Sequence, residues 1–98
     1  MGKTSSFGYN GCMGSPERTL AKLLRGTSDA NITFDDLRRL LLRLGFDERT
    51  RGSHHVYRRT GVAQRINLQR DGKDAKPYQV RQVRRMIVAN RLADEIDG

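Results

Sequence analysis

The hydrophobic pattern of this chain changes its period twice, and this change restricts the fold more than any other feature. From Phe34 to Leu44 the apolar residues recur every three or four positions, which predicts a helix that Thr33 can cap. Positions 46–69 alternate between apolar and polar residues, as strands with one buried face do. Pro77 then begins a second helical pattern. The order predicts an α+β fold, α-β-β-β-α, with two helices on one face of a three-stranded antiparallel sheet and water on the other.

The three predicted strands span positions 46–51, 54–59 and 62–69, with turns at Gly52-Ser53 and Thr60-Gly61. One face of the third strand carries Val62, Gln64, Ile66 and Leu68, and the other carries Ala63, Arg65, Asn67 and Gln69. The predicted buried residues of the two long helices are Phe34, Leu37, Leu40, Leu41 and Leu44, then Val80, Val83, Met86 and Ile87.

Two further segments precede this pattern. Ser15-Pro16-Glu17 has the residues of a helix start, and Leu20, Leu23 and Leu24 predict a short apolar stripe before Gly26. Residues 1–14 are rich in Gly and Ser, and we interpret them as a disordered extension or a cloning remnant. The sequence therefore predicts a short helix at 15–26, one domain at 29–92 and a C-terminal tail at 93–98.

The charge is strongly positive and unevenly distributed. The formal net charge is +8, and 15 of the 19 basic residues are arginine. Positions 49 to 91 contain twelve Lys and Arg residues and two Asp residues, which gives this segment a net charge of +10. A positive field on half of a small domain favours a polyanionic partner, above all nucleic acid, and arginine suits bidentate contacts with phosphate. The alternative is a solvated surface that only keeps the protein soluble.

Several classes of protein are excluded or disfavoured. The single cysteine, Cys12, excludes a disulfide within the chain and a zinc site built from several cysteines. No apolar run approaches the roughly 20 residues of a membrane span. The N-terminal residues have no continuous apolar stretch that would serve as a signal peptide. We therefore expect a cytoplasmic protein without a membrane partner.

The stretch RGSHHVYRR contains both histidines of the chain, His54 and His55. Neighbouring strand residues point to opposite faces, so the pair is poorly placed to hold one metal ion or to act together on one bond. If Val56 is in the core, His55 faces solvent with Ser53 and Tyr57. Such a face can cleave RNA without a metal, because a base can activate the 2′-hydroxyl and cations can stabilise the phosphorane. The spacing alone favours an RNA-contacting or structural histidine over a catalytic one.

Two lysines near the second long helix are candidate phosphate ligands. Lys73 and Lys76 precede Pro77, where free amides and the helix dipole favour anions. Arg81, Arg84 and Arg85 would extend such a patch or form a solvated face. The segment DERTR (47–51) has no recognisable chemistry.

Four motifs resemble the HicA toxin family: LxxLGF at 41–46, RGSHHVYR at 51–58, INLQRDG at 66–72 and KPYQVRQV at 76–83. The similarity extends from about Asp29 to Asn90. It implies a double-stranded-RNA-binding-domain-like fold, cleavage of mRNA, catalysis by His55 with His54 as the fallback, and a HicB-like antitoxin as partner. About thirty residues ahead of the domain, and the third strand with its following loop, differ from the common family pattern.

The leading hypothesis is therefore the toxin of a toxin–antitoxin pair, a metal-independent endoribonuclease that needs no cofactor. His55 would be the general base. The predicted RNA contacts are Ser53, Tyr57, Arg51, Arg65, Lys73 and Lys76. Two other hypotheses remain open: a non-catalytic RNA-binding module, and a basic face that mainly binds a protein.

Overall fold

A computed structural model of the chain describes residues 15–26 and 31–95. The elements in chain order are α1 (Pro16–Arg25), α2 (Phe34–Arg43), β1 (Asp47–Arg51), β2 (His54–Arg58), β3 (Ile66–Gln69), α3 (Pro77–Ala89) and a 3₁₀ helix (Leu92–Glu95). This order confirms the α+β fold, with α1 as the additional N-terminal helix. The predictions for residues 1–14, for the start of the predicted domain at 29–30 and for the end of the tail at 96–98 concern residues outside the described ranges.

The helices begin and end at the signals that the sequence contains. The side chain of Thr33 accepts a hydrogen bond from the backbone N–H of Asp36 at 3.1 Å, and Ser15 accepts one from Arg18 at 3.2 Å. Each cap satisfies an N–H group that has no partner within its helix. After α2, Gly45 has a φ of +89°, a left-handed conformation that suits glycine and turns the chain toward β1.

One hydrophobic core joins the helices to the sheet. All nine residues predicted for the buried faces of α2 and α3 are buried. In α1, Leu20 and Leu23 are buried as predicted, whereas Leu24 is 42% exposed. From the sheet, the core receives Tyr57, Ile66 and Leu68. Thus α1 extends the core that α2 and α3 form over one face of the sheet.

The strands are antiparallel in the order β1-β2-β3. β3 begins four residues later than predicted, because its first partner pair is Tyr57 with Ile66 and residues 62–65 belong to the preceding connection. Ile66 and Leu68 are buried while Asn67 and Gln69 are exposed, so the facing predicted for this strand is confirmed from position 66 onward.

The expected facing of β2 is wrong. Tyr57 is completely buried and His55 is 8% exposed, both on the face that the helices cover, whereas Val56 is only half-buried on the open face. Tyr57 buries more apolar surface than Val56, and its hydroxyl finds a hydrogen-bond partner in the interior. Tyr57 therefore cannot stack on a base in this conformation.

Candidate active site

The two histidines lie on opposite faces of the sheet. His55 is opposite Thr50 of β1 and Leu68 of β3, on the face covered by the helices. His54 is opposite Arg51 on the open face and is exposed. The two imidazoles consequently cannot share one metal ion or act together on one bond, as the strand geometry predicts.

Glu48 is the centre of a hydrogen-bonded group beneath the helices. Its Oε2 accepts a hydrogen bond from the hydroxyl of Tyr57 at 2.6 Å and from Nε of Arg38 at 2.8 Å, and its Oε1 accepts one from Nη2 of Arg38 at 3.1 Å. Nδ1 of His55 lies 3.4 Å from the same Oε2 and 3.3 Å from Oγ1 of Thr50. A carboxylate only accepts, so contact with Glu48 favours the tautomer that carries its hydrogen on Nδ1. The lone pair is then on Nε2, at the opposite edge of the ring.

The same contacts shift two pKa values. Burial alone would raise the pKa of Glu48, but the hydrogen bonds from Arg38 and Tyr57 outweigh it and hold this pKa below the ordinary value. The pKa of Tyr57 is raised, mainly by burial and secondly by its hydrogen bond to Glu48. Glu48 is therefore ionised and Tyr57 neutral at physiological pH, which keeps an acceptor facing Nδ1 of His55.

Phe34, the first residue of α2, links His55 to a basic loop. Its ring contacts the imidazole edge-on, with centroids 5.0 Å apart, and the guanidinium of Arg70 lies 4.4 Å from its centroid. The backbone N–H of Phe34 donates to the carbonyl of Lys73 at 3.0 Å. Arg70 also forms an ion pair with Asp35 at 2.6 Å, and this hydrogen bond lowers the pKa of Asp35. His55 and the loop from Arg70 to Lys73 thus meet at the start of α2.

The six predicted RNA contacts do not form one cluster. Ser53 is exposed in the β1–β2 turn, and its carbonyl accepts a hydrogen bond from the backbone N–H of Arg70 at 2.9 Å. Lys73 is exposed, and Lys76 forms an ion pair with Asp71 at 3.0 Å that raises its pKa. Tyr57 is buried beneath the helices. The last two predicted contacts, Arg51 and Arg65, line a depression on the open face, away from His55.

Four residues of this site were missed from the sequence. Glu48 and Thr50 lie in the DERTR segment, which suggested no chemistry, and no role was predicted for Arg38 in α2. Arg70 lies in the loop whose lysines, but not whose arginine, were candidate phosphate ligands. The two-residue turn at Gly52-Ser53 could have indicated Glu48 and Thr50, because it fixes the register that places Thr50 opposite His55. No local pattern indicates that Arg70 packs on Phe34.

Within residues 15–26 and 31–95, no three His, Cys, Asp or Glu side chains are grouped as metal ligands are. None of the helices in these ranges has the length and apolar character needed to cross a membrane.

The comparison with protein families agrees with this architecture. The family described as HicA toxin of bacterial toxin-antitoxin matches residues 34–88, from the first residue of α2 into the last turn of α3. The chain belongs to the HicA toxin family. The match contains both histidines, the Glu48 cluster and the loop around Arg70. It excludes α1, which lies ahead of the HicA region.

Membership of the HicA family gives the chain a place in a toxin–antitoxin pair, as its toxin component. The family also implies a cognate antitoxin as a protein partner. No curated protein and no solved structure matches the chain.

Proposed function

We propose that this protein is a metal-independent endoribonuclease in which Nε2 of His55 is the general base. The proposal is supported chiefly by one observation: Nδ1 of His55 faces the carboxylate of Glu48 at 3.4 Å. An imidazole that donates from Nδ1 keeps an acceptor on Nε2, as a base requires. Nuclease activity is also what HicA toxins generally have.

In the proposed step, Nε2 of His55 takes the proton of an RNA 2′-hydroxyl. The 2′-oxygen forms a bond to the adjacent phosphorus, and the bond from phosphorus to the 5′-oxygen breaks. The 5′-oxygen takes a proton from water, and the products are a 2′,3′-cyclic phosphate and a 5′-hydroxyl. A positioned histidine contributes about 10²–10⁴-fold to such a reaction.

Arg70 is the proposed electrostatic partner of His55. It follows β3 on the side of Leu68, which lies directly opposite His55, so the two are diagonal neighbours about 7–8 Å apart at the backbone. A guanidinium there stabilises the negative charge of the phosphorane. Ser53, Lys73 and Lys76 are proposed to contact the flanking phosphates, with Lys76 exchanging its exposed Asp71 partner for RNA.

A non-catalytic RNA-binding module is the second candidate, and the burial of His55 favours it. Only 11% of the His55 side chain is exposed, which also fits a structural role beneath the helices. His54, the fallback catalytic residue, is exposed but has no carboxylate partner among the described residues.

The proposed substrate is mRNA, the proposed antitoxin is of HicB type, and the proposed location is the cytoplasm.

The test compares His55→Gln with His54→Gln, using a labelled single-stranded RNA in EDTA. We expect His55→Gln to lose cleavage by about 10²-fold or more while it still binds RNA, and His54→Gln to cleave within a few-fold of wild type. Loss of cleavage in His54→Gln alone would show that the general base is His54, on the open face. If the wild-type protein binds RNA in a salt-sensitive way but leaves it intact, the protein is a non-catalytic RNA-binding module.

A further inference from the structure

The open face of the sheet carries a cluster of arginines. Arg49 and Arg51 lie two residues apart on β1, and Arg58 lies on β2 diagonal to Arg49. Arg65, just before β3, lines the same depression. Cross-strand diagonal neighbours are about 7–8 Å apart, so these guanidinium groups are concentrated over a few strand positions. We call these four residues the open-face arginines.

The open-face arginines differ from six other basic residues of the described chain in lacking carboxylate partners. No ion pair joins any of the four to an acidic side chain in residues 15–26 or 31–95, although Asp47 lies opposite Arg58 in the β1–β2 pairing. Six basic residues elsewhere do form such pairs: Arg38, Arg39, Arg43, Arg59, Arg70 and Lys76. Clustered like charges repel each other and disfavour folding, and an anionic ligand would remove that repulsion.

The rest of the open face fits a phosphodiester backbone better than a protein surface. Val56, half-buried between the arginines, is its only aliphatic residue on the paired strands, whereas protein interfaces have an apolar core with a polar rim. His54, Asn67 and Gln69 add polar groups that can bond to sugars and bases. Guanidinium groups bind phosphate oxygens in bidentate fashion.

This surface is separate from His55 but close to it along the chain. Arg51 and His54 flank the Gly52-Ser53 turn on the open face, while their neighbours Thr50 and His55 face the helices. A flexible single strand that passes around this end of the sheet can therefore touch both faces.

We propose that the open-face arginines form a second RNA-binding surface, which holds the backbone of a single-stranded RNA on the opposite side of the sheet from the cleavage site. The proposal rests on the proposed ribonuclease function, since it assigns RNA as the ligand. In this arrangement, His55 acts on one phosphodiester, and the open face binds neighbouring nucleotides of the same strand.

The test compares Arg49→Gln/Arg58→Gln with Arg18→Gln/Arg25→Gln, a control pair on α1 that makes the same change in net charge. Both positions of each pair are exposed, and both variants should keep the wild-type circular dichroism spectrum. The probe is a 2′-O-methyl oligonucleotide, which has no 2′-hydroxyl and therefore measures binding without cleavage. Dissociation constants are measured over a series of salt concentrations.

We expect the open-face pair to weaken binding on the order of tenfold, and to reduce the slope of log K against log salt by about 1.4, because each lost contact with a single strand accounts for about 0.7. The control pair should change both quantities little. Equal effects of the two pairs would overturn the proposal, since they would reflect total charge alone. Normal RNA binding with lost antitoxin binding would also overturn it, in favour of a protein-binding face.

Failure of this proposal and failure of the ribonuclease proposal give different results. If wild-type protein neither binds nor cleaves RNA, both proposals are wrong. If it cleaves RNA through His55 and the open-face pair binds as the control pair does, only the second surface is wrong.

Discussion

Replacing Tyr57 with phenylalanine should destabilise the protein, because it removes one hydroxyl from the interior and leaves the ring in place. The hydroxyl donates to Oε2 of Glu48 at 2.6 Å, and Tyr57 is completely buried. A hydrogen bond to a charged group contributes about 1.5–3 kcal/mol. Glu48 keeps its two bonds from Arg38, so we expect a loss near the lower end, about 1.5–2 kcal/mol.

The assay is urea unfolding followed by circular dichroism, with the free energy of unfolding taken from the linear extrapolation. In a domain of this size a loss of about 1.5–2 kcal/mol corresponds to a melting temperature lower by roughly 6–16 °C. Tyr78→Phe is the matched control, because Tyr78 is 54% exposed and the same hydroxyl is removed from the surface.

Equal stabilities of Tyr57→Phe, Tyr78→Phe and wild type, within about 0.5 kcal/mol, would refute the reasoning. Such a result would mean that Tyr57 is not bonded to Glu48 in the folded protein. The assignment of Tyr57, and with it His55, to the helix-covered face would then fail.

Four further substitutions, at three positions, can be measured by the same urea assay. Glu48→Gln should be less stable than wild type at neutral pH, and this difference in stability should disappear as the pH falls through the lowered pKa of Glu48. The reason is that a carboxyl group with a depressed pKa stabilises the fold only while it is ionised. A difference in stability that persists in acid would contradict this. Gly45→Ala should cost about 1–2 kcal/mol, since φ is +89° there, and an unchanged stability would count against that turn. Thr33→Ala should cost about 1 kcal/mol through the lost cap of α2, whereas Thr33→Ser should restore most of it.

The helices could be predicted from the sequence because their signals are local. The capping hydroxyl of Thr33, the apolar spacing of α2 and the glycine at position 45 all lie within one short segment. The facing of β2 could not be obtained in this way. It depends on whether Val56 or Tyr57 enters the core. The partner that the buried Tyr57 hydroxyl needs, Glu48, lies on another strand.

The candidate site was predicted only in part, for a related reason. His55 was selected from the motif and its resemblance to a family, but its neighbours depend on register and on contacts between distant segments. Glu48 and Thr50 follow once the two-residue turn fixes the pairing of β1 with β2. The guanidinium of Arg70 is held at the site by Phe34 and Asp35, which lie 36 and 35 positions earlier in the chain, and no spacing rule indicates such contacts.

The most direct test of the account is the chemistry of the RNA ends after incubation of a single-stranded RNA with wild-type protein in EDTA, determined by mass spectrometry. Attack by the 2′-hydroxyl, with His55 as base and without a metal ion, predicts fragments that carry a 2′,3′-cyclic phosphate and a 5′-hydroxyl. Fragments with a 3′-hydroxyl and a 5′-phosphate, or RNA that stays intact, would contradict the proposed mechanism.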